Sequence, residues 1–298
     1  IVGNLLLIIV SILTMLRAYL TVEYRLKLNY KKIFQHSLIY SFSFSLSTLL
    51  LIITDLWQIV FFSGELISFI FLVRTTSLLK EPFKITIKFK KTIKQYFLLS
   101  TSSLIGNVLN YLDRLIIFPF LGPHKVAVFF TATLVGKLSS FIVSPISGVL
   151  LSYISNKKGR MTLSLFWKIN IGILIFSSIT TIFTLVVSKH FLKVLYPNLY
   201  LEVSSILLLA NLAVILFASS TLSQTIILKY SAIYWQIIIQ ISYGIIYVIG
   251  GILLINKADL EGFCIAALIA AVFKFVFIAG IGTITLKDKK DGSVKNFV

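Results

Sequence analysis

Lys137 and Lys274 each stand about halfway along an apolar stretch long enough to cross a bilayer, where an ammonium is stabilised only by water, a carboxylate or an anion. Other polar side chains recur near them at helical spacing. Ser103, Asn107, Asn110 and Arg114 fall on one helix face, with Asp113 beside Arg114. Thr133, Lys137, Ser140 and Ser144 form a second stripe, and Gln236, Gln240, Tyr243 and Tyr247 a third. Lys274 shares its face with Ala267, Ala270 and Ala271, small residues suited to close helix approach or to an open space. Earlier in the chain Glu65 and Ser68 mark one apolar stretch, and Thr14, Arg17 and Thr21 another.

Cations interleaved with carboxamides and hydroxyls have the chemistry to receive an anionic, polyhydroxylated solute. The bland alternative is interhelical hydrogen bonding, worth about 0.6 kcal/mol per contact, and it is preferred for each Ser, Thr or Asn taken singly. Arg17 and Arg114 lie near the ends of their stretches, where a guanidinium can snorkel to headgroups. Lys137 and Lys274 are too deep for that, so a cavity-facing role is preferred for both, with Glu65 a candidate partner of either. Pro145 removes a backbone hydrogen bond and is expected to kink its helix. There is no GxxxxGK[ST] phosphate loop and no His and Cys cluster at metal spacing; His36, His124 and His190 stand apart, and Cys264 is the only cysteine. No catalytic residue, metal or other cofactor is therefore expected.

The elements that position these residues follow from composition. The chain is 58% hydrophobic and 13% charged, with a mean hydropathy of +0.98, which excludes a soluble domain and makes it an all-α polytopic membrane protein. About 20 helical residues are needed per crossing, and nine stretches qualify, roughly 1–20, 35–53, 57–75, 96–119, 126–153, 165–188, 202–224, 233–255 and 261–286. Strict alternation, the mark of a transmembrane β-strand, is missing from them.

The net charge of +18 sorts by loop. Arg25, Lys27, Lys31 and Lys32 follow the first stretch, and Arg74, Lys80, Lys84, Lys88, Lys90, Lys91 and Lys94 the third. Lys157, Lys158 and Arg160 follow the fifth, Lys229 the seventh, and Lys287, Lys289, Lys290 and Lys295 close the chain. The alternate loops hold only Lys125, Lys189, Lys193 and Lys257, so the basic side is expected to be cytoplasmic, with the C-terminus inside. The basic segment then reads as a cytoplasmic linker rather than a nucleic-acid patch.

An offset of 202 residues superposes the first three stretches on the last three: Leu26 and Lys27 meet Leu228 and Lys229, Leu66 and Ile67 meet Leu268 and Ile269, and Phe71 meets Phe273. The implied repeat is six helices, so the expected organisation is a partial lobe at 1–75, a linker at 76–95, a complete lobe at 96–286 and a tail at 287–298. Three further helices are expected ahead of Ile1, twelve in all, in two six-helix lobes.

The stretch NYLDRLIIFPFLGPHKVAVFFTATLVGKLSSFIVSPISGVLLSYIS, Asn110 to Ser155, resembles the opening of the second lobe in the polysaccharide flippase family, the O-antigen and capsule repeat-unit flippases of the wider group that includes multidrug extruders. RAYLTVEYRLKLNY, Arg17 to Tyr30, resembles the end of the fourth helix of the first lobe. The resemblance implies a carrier, not an enzyme, that moves an undecaprenyl-pyrophosphate-linked oligosaccharide across a bacterial inner membrane. It implies Lys137, Lys274, Arg114 and Arg17 as contacts for the pyrophosphate, with Asp113, Glu65, Asn107, Asn110, Gln236 and Gln240 completing a polar path. A polysaccharide polymerase and a chain-length regulator are the protein partners it suggests. Alternatives left open are a multidrug exporter or peptidoglycan-precursor flippase of the same fold and, in a different class, a membrane-embedded polymerase or acyltransferase.

Overall fold

The computed structural model describes residues 2–54, 56–82, 85–156 and 161–290. Lys84, Lys157, Lys158, Arg160 and Lys295, counted above among the basic residues, lie outside them, as do the side chains of Lys289 and Lys290. Every element among the described residues is helical: α1 (Val2–Leu26), α2 (Tyr30–Ser47), α3 (Leu51–Thr54), α4 (Trp57–Thr75), α5 (Phe89–Leu109), α6 (Leu112–Leu138), α7 (Ser140–Asn156), α8 (Leu163–Leu195), α9 (Tyr200–Tyr230) and α10 (Tyr234–Lys290). Seven helical stretches among the described residues are long and apolar enough to cross a membrane.

Two of the seven are too long to be single straight crossings. Phe89–Asn156 runs for 68 residues and Tyr234–Lys287 for 54, whereas about 20 suffice. Both contain a break. Gly122 in α6 has φ 78°, a value reached without penalty only by glycine. Ala258 and Asp259 leave helical geometry in α10. Across each break the chain doubles back. Lys137 reaches Asp113 in α6, and in α10 the rings of Trp235 and Phe277, and of Tyr247 and Phe263, meet with centroids 6.3 and 5.5 Å apart.

Large apolar side chains cover the outside, with Met15, Phe42, Phe141 and Val194 all exposed, while Ser219, Ser220, Ser223 and Asn211 are buried. That distribution suits hydrocarbon as solvent, where contact between helices comes from small and hydrogen-bonding residues. Many hydroxyls bond back to the carbonyl one turn earlier, as Ser177 does to Ile173 and Thr181 to Ser177, and so meet their own donor within the helix.

The chain separates into two compact units, Ile1–Thr86 and Ile87–Val298. In the first, α1, α2 and α4 pack around Leu20, Tyr24 and Leu72. At one end of this unit buried Glu23 accepts hydrogen bonds from Lys27 Nζ at 2.5 Å and from Ser77 N at 2.7 Å. In the second, α9 lies at the centre, packed against α6, α7, α8 and α10, over a core that includes Phe129, Tyr247 and Phe263.

Candidate functional site

The second unit holds a half-open cavity of about 770 Å³. Its walls come from both arms of α6, the end of α5, and α7, α9 and α10. Asn107, Asn110, Asp113, Arg114, Lys137, Gln240 and Lys274 all line it, residues more than 160 positions apart in the chain. Side chains in register hold α5 and the first arm of α6 alongside α10. Ser102 Oγ donates to the Gln236 carbonyl at 3.0 Å, Leu109 packs on Gly244, and Ile116 lies by Gly251.

The charges in the cavity are unevenly matched. Lys137 Nζ donates to Asp113 Oδ2 at 2.7 Å, and Asp113 Oδ1 accepts from the Arg114 backbone N–H at 2.8 Å. Each oxygen of the carboxylate thus has one partner, the ammonium or its own neighbour's N–H. Arg114 has no carboxylate partner among the described residues; its guanidinium carbon lies 5.1 Å from the centroid of Phe130. Lys274 is 1% exposed, and its Nζ has no hydrogen-bond partner among the described residues. It sits 3.9 Å over the Phe217 ring and 5.5 Å from that of Tyr243. Aromatic faces attract a cation, worth about 2 kcal/mol or more when desolvated, without neutralising it.

A smaller space of about 200 Å³ shares Ser103, Thr221 and Gln240 with the main cavity. Gln236, expected in the main cavity, lines this annex instead, together with Ser102 and Gln224. Gln224 Nε2 donates to Gln236 Oε1 at 2.8 Å.

Arg17 and Glu65 belong to the first unit and pair with each other at 2.8 Å. Tyr40 adds an O–H to Glu65 Oε1 at 3.3 Å and offers its ring to Arg17, with 4.5 Å from guanidinium carbon to centroid. Glu65, expected as a partner of Lys137 or Lys274, is met by Arg17 and Tyr40, and the carboxylate that meets Lys137 is Asp113. His36 and Ser68 extend the same polar cluster through a 2.9 Å hydrogen bond.

Sequence reasoning missed Phe217, Ser102, Thr221 and Gln224. Thr221, Gln224 and Thr225 recur at helical spacing on α9, a stripe that was available to be read, whereas one phenylalanine in an apolar helix gives no signal. No protein-family model, curated protein or solved structure matches the chain.

Proposed function

We propose that the chain is a multi-pass carrier of a lipid-linked, anionic glycan, of the polysaccharide flippase type, which moves an undecaprenyl-pyrophosphate-linked oligosaccharide from the cytoplasmic to the outer leaflet of a bacterial inner membrane. The observation that carries this reading is the cavity among membrane-length helices, with Lys274 and Arg114 unmatched by carboxylate and a wall of carboxamides and hydroxyls. If the breaks at Gly122 and Ala258–Asp259 are turns between crossings, the seven apolar stretches contain nine spans. The basic loops then put the C-terminus in the cytoplasm.

The chemistry of the cargo explains the lining. A hydroxyl taken into hydrocarbon without a partner costs about 2–7 kcal/mol, so a sugar needs a polar path. A pyrophosphate needs cations, and the polyprenyl tail is already soluble in lipid. With the inside negative, each negative charge carried outward gains about 2.3 kcal/mol per 100 mV. Excess positive charge also disfavours the cationic, apolar cargo of a typical multidrug exporter. A polymerase and a chain-length regulator are the partners that such a carrier serves.

The test is transport in liposomes reconstituted with the chain, using a fluorescent polyprenyl-pyrophosphate sugar and a reductant that reports which leaflet holds it. Translocation that falls at least tenfold on Lys274→Ala and is partly retained in Lys274→Arg supports the reading. Equal rates with and without the protein would overturn it.

A further inference from the structure

We infer that the annex is a distinct subsite for an uncharged N-acylated sugar, whose acetamido group completes a ladder of carboxamides between Gln236 and Gln240. The inference rests on the glycan-carrier reading and specifies one part of the cargo.

No charged side chain among the described residues lines the annex, so it offers nothing to the pyrophosphate that the main cavity suits. Its volume of about 200 Å³ equals that of roughly seven waters, the scale of a single sugar ring. Its walls present only hydroxyl and carboxamide groups beside Leu99 and Leu228.

Two of those groups lack partners. Gln236 Nε2, a donor, and Gln240 Oε1, an acceptor, are both buried with no hydrogen bond among the described residues. Native proteins seldom leave such atoms unmet, and each calls for an explanation. The direction of the existing bond supplies one. Gln224 Nε2 donates to Gln236 Oε1, which leaves Gln236 Nε2 as the next donor in the series. Gln240 lies one helical turn further along α10, about 5–6 Å away at Cβ, and its free atom is an acceptor.

A secondary amide carries the two groups that such a pair requires. Its carbonyl accepts from Gln236 on one edge, and its N–H donates to Gln240 from the opposite edge. The donors then run in one sense from Gln224 through Gln236 and the ligand to Gln240, and such chains of hydrogen bonds polarise one another. Backbone geometry keeps the place open. Ser102 pins the Gln236 carbonyl, and Gly106 leaves room for the Gln240 carboxamide, since a Cβ there would lie 3.3 Å from Gln240 Nε2.

The experiment places the full chain in lipid nanodiscs and measures quenching of tryptophan fluorescence by three probes: a polyprenyl pyrophosphate without sugar, the same lipid bearing glucose, and the same lipid bearing N-acetylglucosamine. The acetamido sugar is expected to bind at least tenfold more tightly than glucose. Gln236→Leu, which lines only the annex, should bring it to the glucose value without changing the affinity of the sugar-free lipid, and Gln240→Leu, whose side chain also lines the main cavity, should abolish the preference for the acetamido sugar over glucose whatever it does to the sugar-free lipid. Gly106→Ala, which keeps both glutamines but presses on one, should narrow the preference several-fold. Equal binding of the two sugars by the wild-type chain overturns the inference even if a variant fails to fold. So does a preference that survives both leucine variants. If the sugar-free lipid binds and the sugars are not distinguished, only the annex assignment fails; if none of the three binds, the carrier reading fails with it.

Discussion

Lys274 has the clearest conflict between stability and use. A buried ammonium with two aromatic faces and no hydrogen bond among the described residues is a cost to the folded chain, and an apolar side chain of similar volume removes that cost. Lys274→Met is therefore expected to raise the melting temperature in detergent while abolishing transport. A methionine variant that is less stable and still active would make Lys274 a packing residue. Lys137 is the opposite case, because Asp113 holds it at 2.7 Å. Asp113→Asn should cost about 1.5–3 kcal/mol, the worth of a hydrogen bond to a charged group. Adding Lys137→Met should recover most of that loss, and a double-mutant cycle on thermal unfolding measures the coupling. Additive losses would mean that the pair contributes nothing to the fold.

At the scale of elements, the polar stripes of α5 and α10 were legible because helical periodicity alone puts Asn107 with Asn110 and Gln236 with Gln240. The ion pairs were not. Asp113–Lys137 exists because α6 folds back at Gly122, and Arg17–Glu65 because α1 packs on α4, so neither can be read from spacing within one helix. Pro119 and Pro145 both lie inside helices, and the reversal falls at Gly122, in the gap between the stretches 96–119 and 126–153. The offset of 202 residues can be set against the helix boundaries. It carries Tyr30, the first residue of α2, to Ala232, just before α10 begins at Tyr234, and Trp57, the first of α4, to Asp259 at the break in α10. Two glycine substitutions separate backbone strain from close packing. Nothing among the described residues lies within 4 Å of a Cβ built on Gly122, so Gly122→Ala should cost only the strain of its backbone, φ 78° and ψ 177°, a region essentially confined to glycine, at about 1–3 kcal/mol. At Gly136 a Cβ would stand 2.3 Å from Asn211 Oδ1, whose amide nitrogen is already bonded to the Ala132 and Leu207 carbonyls. Gly136→Ala must push α6 away from α9, at about 1–3 kcal/mol. Thermal unfolding of both variants checks this, and an unchanged Gly136→Ala protein would refute the close approach.

For the molecule as a whole, the two breaks and the loop charges make one joint claim about topology. Next to Gly122, the exposed side chain of His124 and that of Lys125 meet Glu202 at the start of α9, at 3.0 and 3.2 Å. Around the other break Asn256, Lys257, Asp259 and Glu261 are all exposed. Charged groups at both tips are stable in water and costly in hydrocarbon, so each tip belongs at a membrane surface. We propose that this surface is the outer one, because basic residues are sparse near these tips and clustered from Arg74 to Lys94. With buried Cys264 replaced by Ala, single cysteines at Pro123→Cys and Lys257→Cys should react with an impermeant maleimide on intact cells, and one at Lys80→Cys only after permeabilisation. The reverse pattern would invert the orientation, and with it the direction in which the membrane potential acts on an anionic cargo. If Pro123→Cys and Lys257→Cys were shielded under both conditions while Lys80→Cys reacted, the breaks would be bends buried in the bundle, and the seven stretches could not be divided into nine crossings.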